Sequence, residues 1–352
     1  MPLYSENRRC GMVCRHHDRS IYVTEKERPY LVQVYTKSES LPPLLDGNFF
    51  HSRELFCILE KTPGSTPCMA VASSPDGGVV GQLLFSVHHR HSWLPPYLYK
   101  HAHAHEEGVY ADGVDREEVF GAMASAVTRM LDSHLCLYIE FSGIRKKMFG
   151  YRHLRQQGYF PIVWQEVHNS LHSMPPRDRL DGKTLRRIDR LASKGVVTRE
   201  VSDMADVHAF HGLLKRYYRF KPRRYIPDER YFEEMLSSRH SGMFLTEWHG
   251  IVIGCCACIY CGGNAYLWYL ASKRKSYAAL HPDLMSVWHA IDDAYRRGFA
   301  HIYFMDVGLP WSKNPFRNFI LGFGGKPVAK YRWFRFCNRF LNKILMWLYR
   351  DR

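Results

Sequence analysis

The chain has 352 residues, of which 46% are hydrophobic and 24% charged. This composition excludes an intrinsically disordered protein, and the length allows two domains that each bury a core. The net charge of +15 favours an anionic partner, such as nucleic acid, a phosphorylated substrate or an acidic membrane, without selecting among them. A solvated basic surface without a partner is the alternative.

Residues 1–9 are polar with no apolar run behind them, so we expect no secretion signal. No segment approaches about 18 consecutive apolar residues, so we expect no membrane-spanning helix. The ten cysteines are therefore predicted to be reduced thiols of a cytoplasmic protein. Four of them crowd the run Cys255–Cys261, where core packing is favoured over metal binding because no second ligand pair stands at zinc-site spacing.

In chain order, residues 1–47 contain one predicted strand, Tyr30–Tyr35, and Ser52 is predicted to cap a helix over Arg53–Glu60. Residues 48–174 form the first predicted domain and residues 175–335 the second. The boundary between these domains is marked by Pro175 and Pro176.

The second domain faintly repeats the first. Residues 67–166 and 242–334 each contain two apolar runs around a glycine turn, an aromatic stretch, a long amphipathic helix and an apolar strand. Gly81 and Gly254 stand at equivalent positions 173 residues apart, and Gly158 and Gly324 stand 166 residues apart. The pattern predicts an α/β (α+β) protein with two related domains that arose by internal duplication.

Three alternating histidines, His101, His103 and His105, would share one face of an extended strand. A metal site uses such spacing, but apart from Glu106 and Glu107 no further ligands stand at companion spacing. We therefore favour a polar loop or an exposed strand face and predict no metal site.

A basic helix is predicted over Leu185–Lys194, with its apolar residues on one face and its cations on the other. The cations are Arg186, Arg187, Arg190 and Lys194. They form either a solvated face or a surface that contacts phosphates. Two further predicted helices, Ala205–Tyr218 and Asp228–Ser237, are joined by the basic and aromatic segment Arg219–Pro227.

Asp306 follows the last apolar strand and is succeeded by glycines and cations. A carboxylate at the carboxyl end of a strand is common in α/β sites, although Asp306 could instead cap the next segment. Sequence motifs of P-loops, nucleophile elbows and zinc proteases are absent. The segment Tyr295–Ala300 ends a helix, so its Gly298 is a helix cap and not a phosphate loop.

Several segments together resemble the FemAB-type branch of the GNAT-like acyltransferases, which are tandem duplications of a GNAT-like domain. These segments are Leu185–Val196, Asp206–Leu236, Phe304–Gly308, Gly322–Lys326 and Tyr331–Arg335. The resemblance covers most of residues 48–335 and implies two tandem GNAT-like domains with mixed sheets flanked by helices. It also implies transfer of an acyl or aminoacyl group to an amine, as in members that take amino acids from aminoacyl-tRNA to extend peptidoglycan precursors.

For such a reaction, we expect Asp306 to act as the base or to orient the amine, with Tyr269 as a proton relay. Two sets of cations would bind anionic groups. The set Lys313, Arg317 and Lys326 would hold a substrate anion, and Arg186, Arg187, Arg190 and Lys194 would contact phosphates of the donor or acceptor.

No tightly bound cofactor is expected; the donor would be an acyl-CoA or an aminoacyl-tRNA, and the acceptor an amine on an anionic cell-envelope precursor or lipid. The competing functions are non-catalytic nucleic-acid binding, through the basic and aromatic residues Arg216–Tyr225, and a duplicated fold that serves as an inactive scaffold.

The C-terminal residues 336–352 are predicted to form an amphipathic helix. Its apolar half contains Phe336, Phe340, Leu341, Ile344, Trp347 and Leu348, and its basic half contains Arg335, Arg339, Lys343 and Arg350. This helix either lies on the anionic inner face of a membrane, as a peripheral contact through residues 336–350, or docks on the second domain.

Overall fold

The computed structural model describes residues 30–91, 98–133, 136–219 and 224–349. The strands are β1 Leu31–Tyr35, β2 Ser65–Ser73, β3 Val79–His91, β4 Leu98–His105, β5 Val109–Tyr110, β6 Cys136–Ser142, β7 Phe160–Ser170, β8 Val196–Glu200, β9 Ser241–Trp248, β10 Ile251–Cys261, β11 Asn264–Ser272, β12 His301–Phe304 and β13 Lys326–Phe336. The helices are α1 Arg53–Lys61, α2 Arg116–Ser133, α3 Tyr151–Gln156, α4 Gly182–Ser193, α5 Met204–Tyr218, α6 Glu229–Leu236, α7 Pro282–Arg296, α8 Pro315–Leu321 and α9 Arg339–Leu348.

All of these strands belong to one mixed sheet. Its order is β1-β2-β3-β4-β6-β13-β7-β12-β11-β10-β9-β8, with β5 beside β3. The first repeat therefore supplies one end of the sheet and the second repeat the other, and helices cover the sheet on its faces.

The two repeats exchange their last strands at the centre of this sheet. Strand β7 of the first repeat pairs with β12 of the second, and β13 of the second repeat pairs with β6 of the first. Strands β7 and β13 also pair with each other, antiparallel, with Trp164 opposite Lys330. Neither repeat is thus complete without a strand of the other.

The two repeats have a register shift at the same place in their sheets, as expected of an internal duplication. The register of β3 against β2 shifts next to Gly81, and the register of β10 against β9 shifts next to Gly254. A Cβ at Gly81 would lie 2.6 Å from Val119 Cγ1 of α2, and one at Gly254 would lie 2.8 Å from Ser286 Oγ of α7. Glycine thus lets the long helix of each repeat pack closely on its sheet at the same place, which confirms the predicted duplication.

The cores of the two repeats reflect the exchange of strands. The core of the first repeat contains the fully buried Trp333 from β13. The core of the second contains Val167, from β7, and Leu171, which follows that strand. A third core packs α1 against α5 and α6 and joins the two repeats on one side of the sheet.

The cysteines of β10 are buried free thiols, which confirms that they pack in the core. No helix in the described part of the chain is long and apolar enough to cross a bilayer.

Candidate functional site

A cavity of about 190 Å³ opens where two parallel strands of the second repeat separate. Strands β11 and β12 pair only from Asn264 opposite His301 to Leu267 opposite Phe304. Beyond that point β11 continues through Trp268 and Tyr269, whereas the chain leaves β12 at Met305 and Asp306, and these four residues line the cavity. The corresponding strands of the first repeat, β4 and β6, stay paired to the end of β6.

Asp306 lies between two arginines in this cavity. Its Oδ2 accepts a hydrogen bond from Nη1 of Arg224, and its Oδ1 accepts one from Nη2 of Arg332 at 2.8 Å. The Arg224 guanidinium also donates to the carbonyl of Trp268 and lies 5.0 Å from the ring centroid of Tyr269. Asp306 does not cap the following helix: Asn314 caps α8, and its side chain accepts from the backbone N–H groups of Phe316 and Arg317. Of the two roles considered for Asp306, the geometry favours a carboxylate of a functional site over a helix cap.

Arg332 reaches the cavity from β13 and joins the two repeats. Its side chain is 14% exposed and lies 3.4 Å from Glu140 Oε1 in β6 of the first repeat. It also donates to the carbonyl of Met305 at 3.0 Å and stacks 4.3 Å from the ring centroid of Trp164. Burial lowers the pKa of Arg332, while the negative charges of Glu140 and Glu166 oppose that shift. The guanidinium is therefore a cation whose charge the surrounding carboxylates balance.

Glu140 is the other carboxylate of the cavity. Burial raises its pKa above the ordinary value, and the positive charges of Arg332 and Arg224 only partly counteract that effect. A carboxylate whose pKa is raised by burial is a better proton acceptor than an ordinary carboxylate.

A wall of histidines faces these charges. His88 of β3 and the alternating His101, His103 and His105 of β4 all line the cavity. The expectation of a polar loop or an exposed strand face is therefore wrong. These residues do lie on a strand, but the strand face is buried, since His101 and His105 are each only 6% exposed. The face is buried because the second repeat and α1 cover it.

These histidines are neutral near physiological pH. Burial, with the nearby charge of Arg90, lowers the pKa of His101 to about 3, and burial together with Arg332 and Arg224 lowers that of His103 to about 3. Nε2 of His103 and Nδ1 of His105 lie 2.6 Å and 3.1 Å from the Ser142 hydroxyl.

Within the part of the chain that the structure describes, the buried Nδ1 of His101 and Nε2 of His105 have no hydrogen-bond partner. Among the described residues, no cluster of His, Cys, Asp or Glu has the arrangement of a metal site.

Tyr269 lines the cavity as a neutral phenol. Burial raises its pKa to about 12, against the opposing effect of Arg224. The hydroxyl therefore stays protonated and acts as a hydrogen-bond donor.

Comparison with known proteins finds similarity to a domain family in the second repeat. Residues 181–313 match the family model of the acetyltransferase (GNAT) domain. This part of the chain is thus similar to a GNAT domain. No curated protein has a significantly similar sequence.

Solved structures extend the similarity across both repeats. The crystal structure of FemX superimposes with a TM-score of 0.58 at 12% identity, over 88% of this chain and 96% of that one. L-PGS from Bacillus licheniformis gives 0.53 at 11% identity, over 84% and 92%. A tandem GNAT protein from the clavulanic acid biosynthesis pathway gives 0.52 at 13% identity, over 81% and 87%. The chain thus has the fold of a tandem GNAT protein, as the FemAB-type resemblance implied.

The predicted phosphate-contacting residues lie outside the cavity, at another place on the GNAT domain. Arg186, Arg187 and Arg190 are exposed on α4, and Lys194 is exposed at its C-terminal end. The helix begins at Gly182, earlier than predicted, because Asp181 accepts hydrogen bonds from the N–H groups of Lys183 and Thr184.

The cationic face of α4 points toward the start of α7. Burial, then the positive charges of Arg187, Arg274 and Arg190, lowers the pKa of His281, the residue that precedes α7. His281 has a φ of 39° and its side chain does not cap the helix. The carboxylate of Asp283, in the first turn of α7, opposes this shift of the His281 pKa and pairs with Arg274 at 3.6 Å, so the N-terminus of α7 already has an acidic partner.

Lys313, Arg317 and Lys326 do not line the cavity either. Arg317 donates to the carbonyls of Leu309 at 2.9 Å and Ser312 at 2.7 Å, so its guanidinium orders the loop before α8. Lys313 and Lys326 are exposed. The binding of an anion by these three residues stays a prediction.

Sequence reasoning identified Asp306 and Tyr269 but missed other residues of the cavity. The signal for the histidines was their alternation, which indicated a strand but not its burial. Arg224 stood in the basic and aromatic segment Arg219–Pro227, and Arg332 stood in the closing segment of the family pattern. No local signal distinguished Glu140, whose partner Arg332 is 192 residues away.

Proposed function

We propose that this protein is an N-acyltransferase that moves an acyl or aminoacyl group from an anionic donor to an amine. The observation that carries the proposal is Asp306, held by Arg224 and Arg332 in a cavity where the parallel strands of a GNAT domain separate. Both the donor carbonyl and the amine must meet in such a cavity, because the reaction needs no covalent enzyme intermediate.

The two carboxylates have different roles toward the amine: one orients it and the other accepts its proton. Asp306 is held in one orientation by two arginines, so its carboxylate can orient the incoming amine by a hydrogen bond. Glu140 has a raised pKa and accepts the proton that the amine must lose. The amine nitrogen then attacks the carbonyl carbon, and the ester oxygen or thioester sulfur leaves and takes up a proton.

The oxyanion that forms during this attack needs hydrogen-bond donors. Tyr269, whose hydroxyl stays protonated, lines the cavity, and the Arg224 guanidinium lies over its ring. Donors of this kind are each worth about 10²–10³ in rate in other enzymes. The neutral histidines add a polar wall that brings no further positive charge.

The donor is an acyl-CoA or an aminoacyl-tRNA, and its phosphates lie at the α4 cations and the start of α7. The acceptor is an amine on an anionic cell-envelope precursor or lipid. The anionic-lipid part of this proposal has support from a similar solved structure, described as the C-terminal domain of a putative lysylphosphatidylglycerol synthetase from Agrobacterium fabrum. Phosphatidylglycerol itself offers a hydroxyl and not an amine, so the panel of acceptors also includes this lipid. The net charge of +15 suits both substrates.

The test uses purified protein with acetyl-CoA or charged tRNA as donor probes and a panel of amines, and measures donor consumption and the acylated product. We expect Asp306→Asn to abolish transfer while the melting temperature stays close to that of the parent. Asp132→Asn is the matched control: Asp132 also pairs with an arginine, Arg335, at 2.7 Å, but it lies outside the cavity. Full activity of Asp306→Asn would refute the assignment of the site.

The nucleic-acid-binding alternative has lost part of its support. Arg224 and Tyr225 of the basic and aromatic segment line the cavity, and residues 220–223 lie outside the described residues. A pure backbone binder would lose affinity steeply with salt and show no preference for aminoacylated tRNA.

A further inference from the structure

The apolar face of helix α9 is exposed to solvent. Phe340 is 75% exposed, Trp347 is 71% exposed, and Ile344 and Leu348 are 44% and 46% exposed. A helix that docks on its own protein would bury these side chains.

A polar residue anchors the helix instead. Asn342 is 8% exposed; its Nδ2 donates to the carbonyl of Gly158 at 2.9 Å, and its Oδ1 accepts from the N–H of Phe336 at 2.9 Å. On the same inner face Tyr349, the residue after α9, stacks on Phe160 with ring centroids 6.1 Å apart. The helix is thus held in a fixed orientation with its aromatic stripe directed to solvent.

Two cations border this stripe. At about 100° per residue, Arg339 and Lys343 fall beside Phe340 and Trp347, and both are exposed. Aromatic side chains bordered by Lys and Arg are typical of a helix that lies at the surface of an anionic bilayer. The net charge of +15 adds attraction to such a surface.

A second protein fits this face less well. The exposed parts of four side chains present roughly 500 Å² of apolar surface, given the 150–250 Å² of a large aromatic side chain. A stable protein interface buries about 800 Å² on each partner. The stripe also lies on a single ten-residue helix.

We propose that α9 docks this protein on anionic lipid membranes, with Phe340, Ile344 and Trp347 in the interfacial layer and Arg339 and Lys343 at the headgroup phosphates. The proposal is independent of the transfer reaction. It resolves the two alternatives for this helix in favour of the membrane, while Asn342 keeps the helix attached to the protein.

The test is flotation of full-length protein with vesicles of phosphatidylcholine alone and of phosphatidylcholine mixed with phosphatidylglycerol. We expect binding to the anionic vesicles that weakens with salt. Phe340→Ser combined with Trp347→Ser should lower binding at least about tenfold, because both side chains would lose apolar burial in the membrane. Arg339→Gln combined with Lys343→Gln should reduce the preference for phosphatidylglycerol.

Trp311→Ser is the matched control, since Trp311 is 49% exposed elsewhere on the surface and its replacement should leave flotation unchanged. Unaltered melting temperatures would show that all variants fold. Equal flotation of the parent and the Phe340→Ser, Trp347→Ser variant would overturn the proposal. So would a parent that fails to bind vesicles, or one that forms a dimer lost in this variant. Transfer to a soluble amine, measured without vesicles, tests the proposed reaction by itself. A loss of membrane binding can therefore be distinguished from a failure of the proposed reaction.

Discussion

A single guanidinium, that of Arg332, makes the chemistry of the cavity depend on both repeats. It contacts Glu140 of the first repeat and Asp306 of the second, and it is 14% exposed. Burying a charge is costly unless opposite charges compensate it. Removing Glu140 therefore leaves a buried cation with less compensation, so Glu140 affects the stability of the site as well as its reactivity. Asp306 is 40% exposed and contributes less to this compensation.

The buried histidines give the protein a characteristic dependence on pH. His101 and His103 have pKa values of about 3 in the folded protein, below the ordinary value of 6.5. As the pH falls below about 6.5, the unfolded chain gains a proton at each site and the folded chain does not. The stability that these two residues contribute is therefore present above pH 6.5 and is lost as the pH falls toward 3. Each accounts for up to about 1.4 kcal/mol per pH unit in the free energy of unfolding.

Urea unfolding between pH 7 and about pH 4 checks this prediction. His101→Phe should give a shallower decline of the free energy of unfolding than the parent. The exposed His208 serves as the control, because its side chain is 80% exposed and His208→Asn should keep the parent slope. Identical slopes for the parent and His101→Phe would contradict the prediction.

Part of the site was predictable at the scale of residues. The carboxylate at the end of a strand pointed to Asp306, and the chain position of Tyr269 on the neighbouring strand placed it beside the same opening. The pairing of Arg332 with Glu140 was not predictable, because strand exchange sets it and no local pattern encodes it. The alternation of His101, His103 and His105 defines a strand face, but which element covers that face depends on how the repeats pack.

At the scale of helices and strands, local sequence signals predicted the type of each element well and its first and last residues less well. Ser52 caps α1 as expected, and its side chain accepts from the N–H of Leu55. Helix α4 begins earlier than predicted because Asp181 accepts two N–H hydrogen bonds, whereas the sequence interpretation began the helix at Leu185. Competing caps a few residues apart leave such a boundary open until the hydrogen bonds are known.

The close packing of α2 on β3 and of α7 on β10 depends on glycine. In Gly81→Ala the new Cβ would lie 2.6 Å from Val119 Cγ1, and in Gly254→Ala it would lie 2.8 Å from Ser286 Oγ. Both contacts are too short, so the opposing side chain or the helix that carries it must shift. We expect each variant to lose about 1–3 kcal/mol in the free energy of unfolding, measured by urea titration.

Gly212→Ala is the control for this pair. Gly212 lies in α5, and a Cβ added there would have no neighbouring atom within 4 Å, so alanine should stabilise the helix by up to about 1 kcal/mol. Parent-like stability of both Gly81→Ala and Gly254→Ala would show that the helices adjust freely, contrary to the packing described.

At the scale of the whole molecule, the sequence predicted the duplication but not the exchange of strands. The segments that become β7 and β13 carry the same apolar pattern whether each pairs within its own repeat or with the other. The two arrangements differ only in which distant strands pair with each other, and this pairing depends on how both repeats pack in three dimensions. The observed arrangement makes the two repeats one cooperative structure.

This arrangement predicts that the halves do not fold alone. Residues 1–174 lack Trp333, which is fully buried in the core of the first repeat, and residues 175–352 lack Val167 and Leu171. The loss of a buried tryptophan alone costs about 3–5 kcal/mol. We expect each half expressed separately to be insoluble or to show no cooperative unfolding by circular dichroism.

Coexpression of the two halves should restore a soluble complex, because every strand then finds its partner. Cooperative unfolding of either half as a monomer would contradict the dependence of each repeat on the other.

The position of β13 in the sheet also sets the order in which the site is completed during synthesis. Asp306, Glu140 and the histidines all precede β13 in the chain, so the ribosome makes Arg332 after every other residue that lines the cavity. A nascent chain arrested before β13 holds both carboxylates without this guanidinium, and it leaves a gap between β6 and β7. Insertion of one late strand thus closes the sheet and completes the site in the same event, so a prematurely terminated chain has neither.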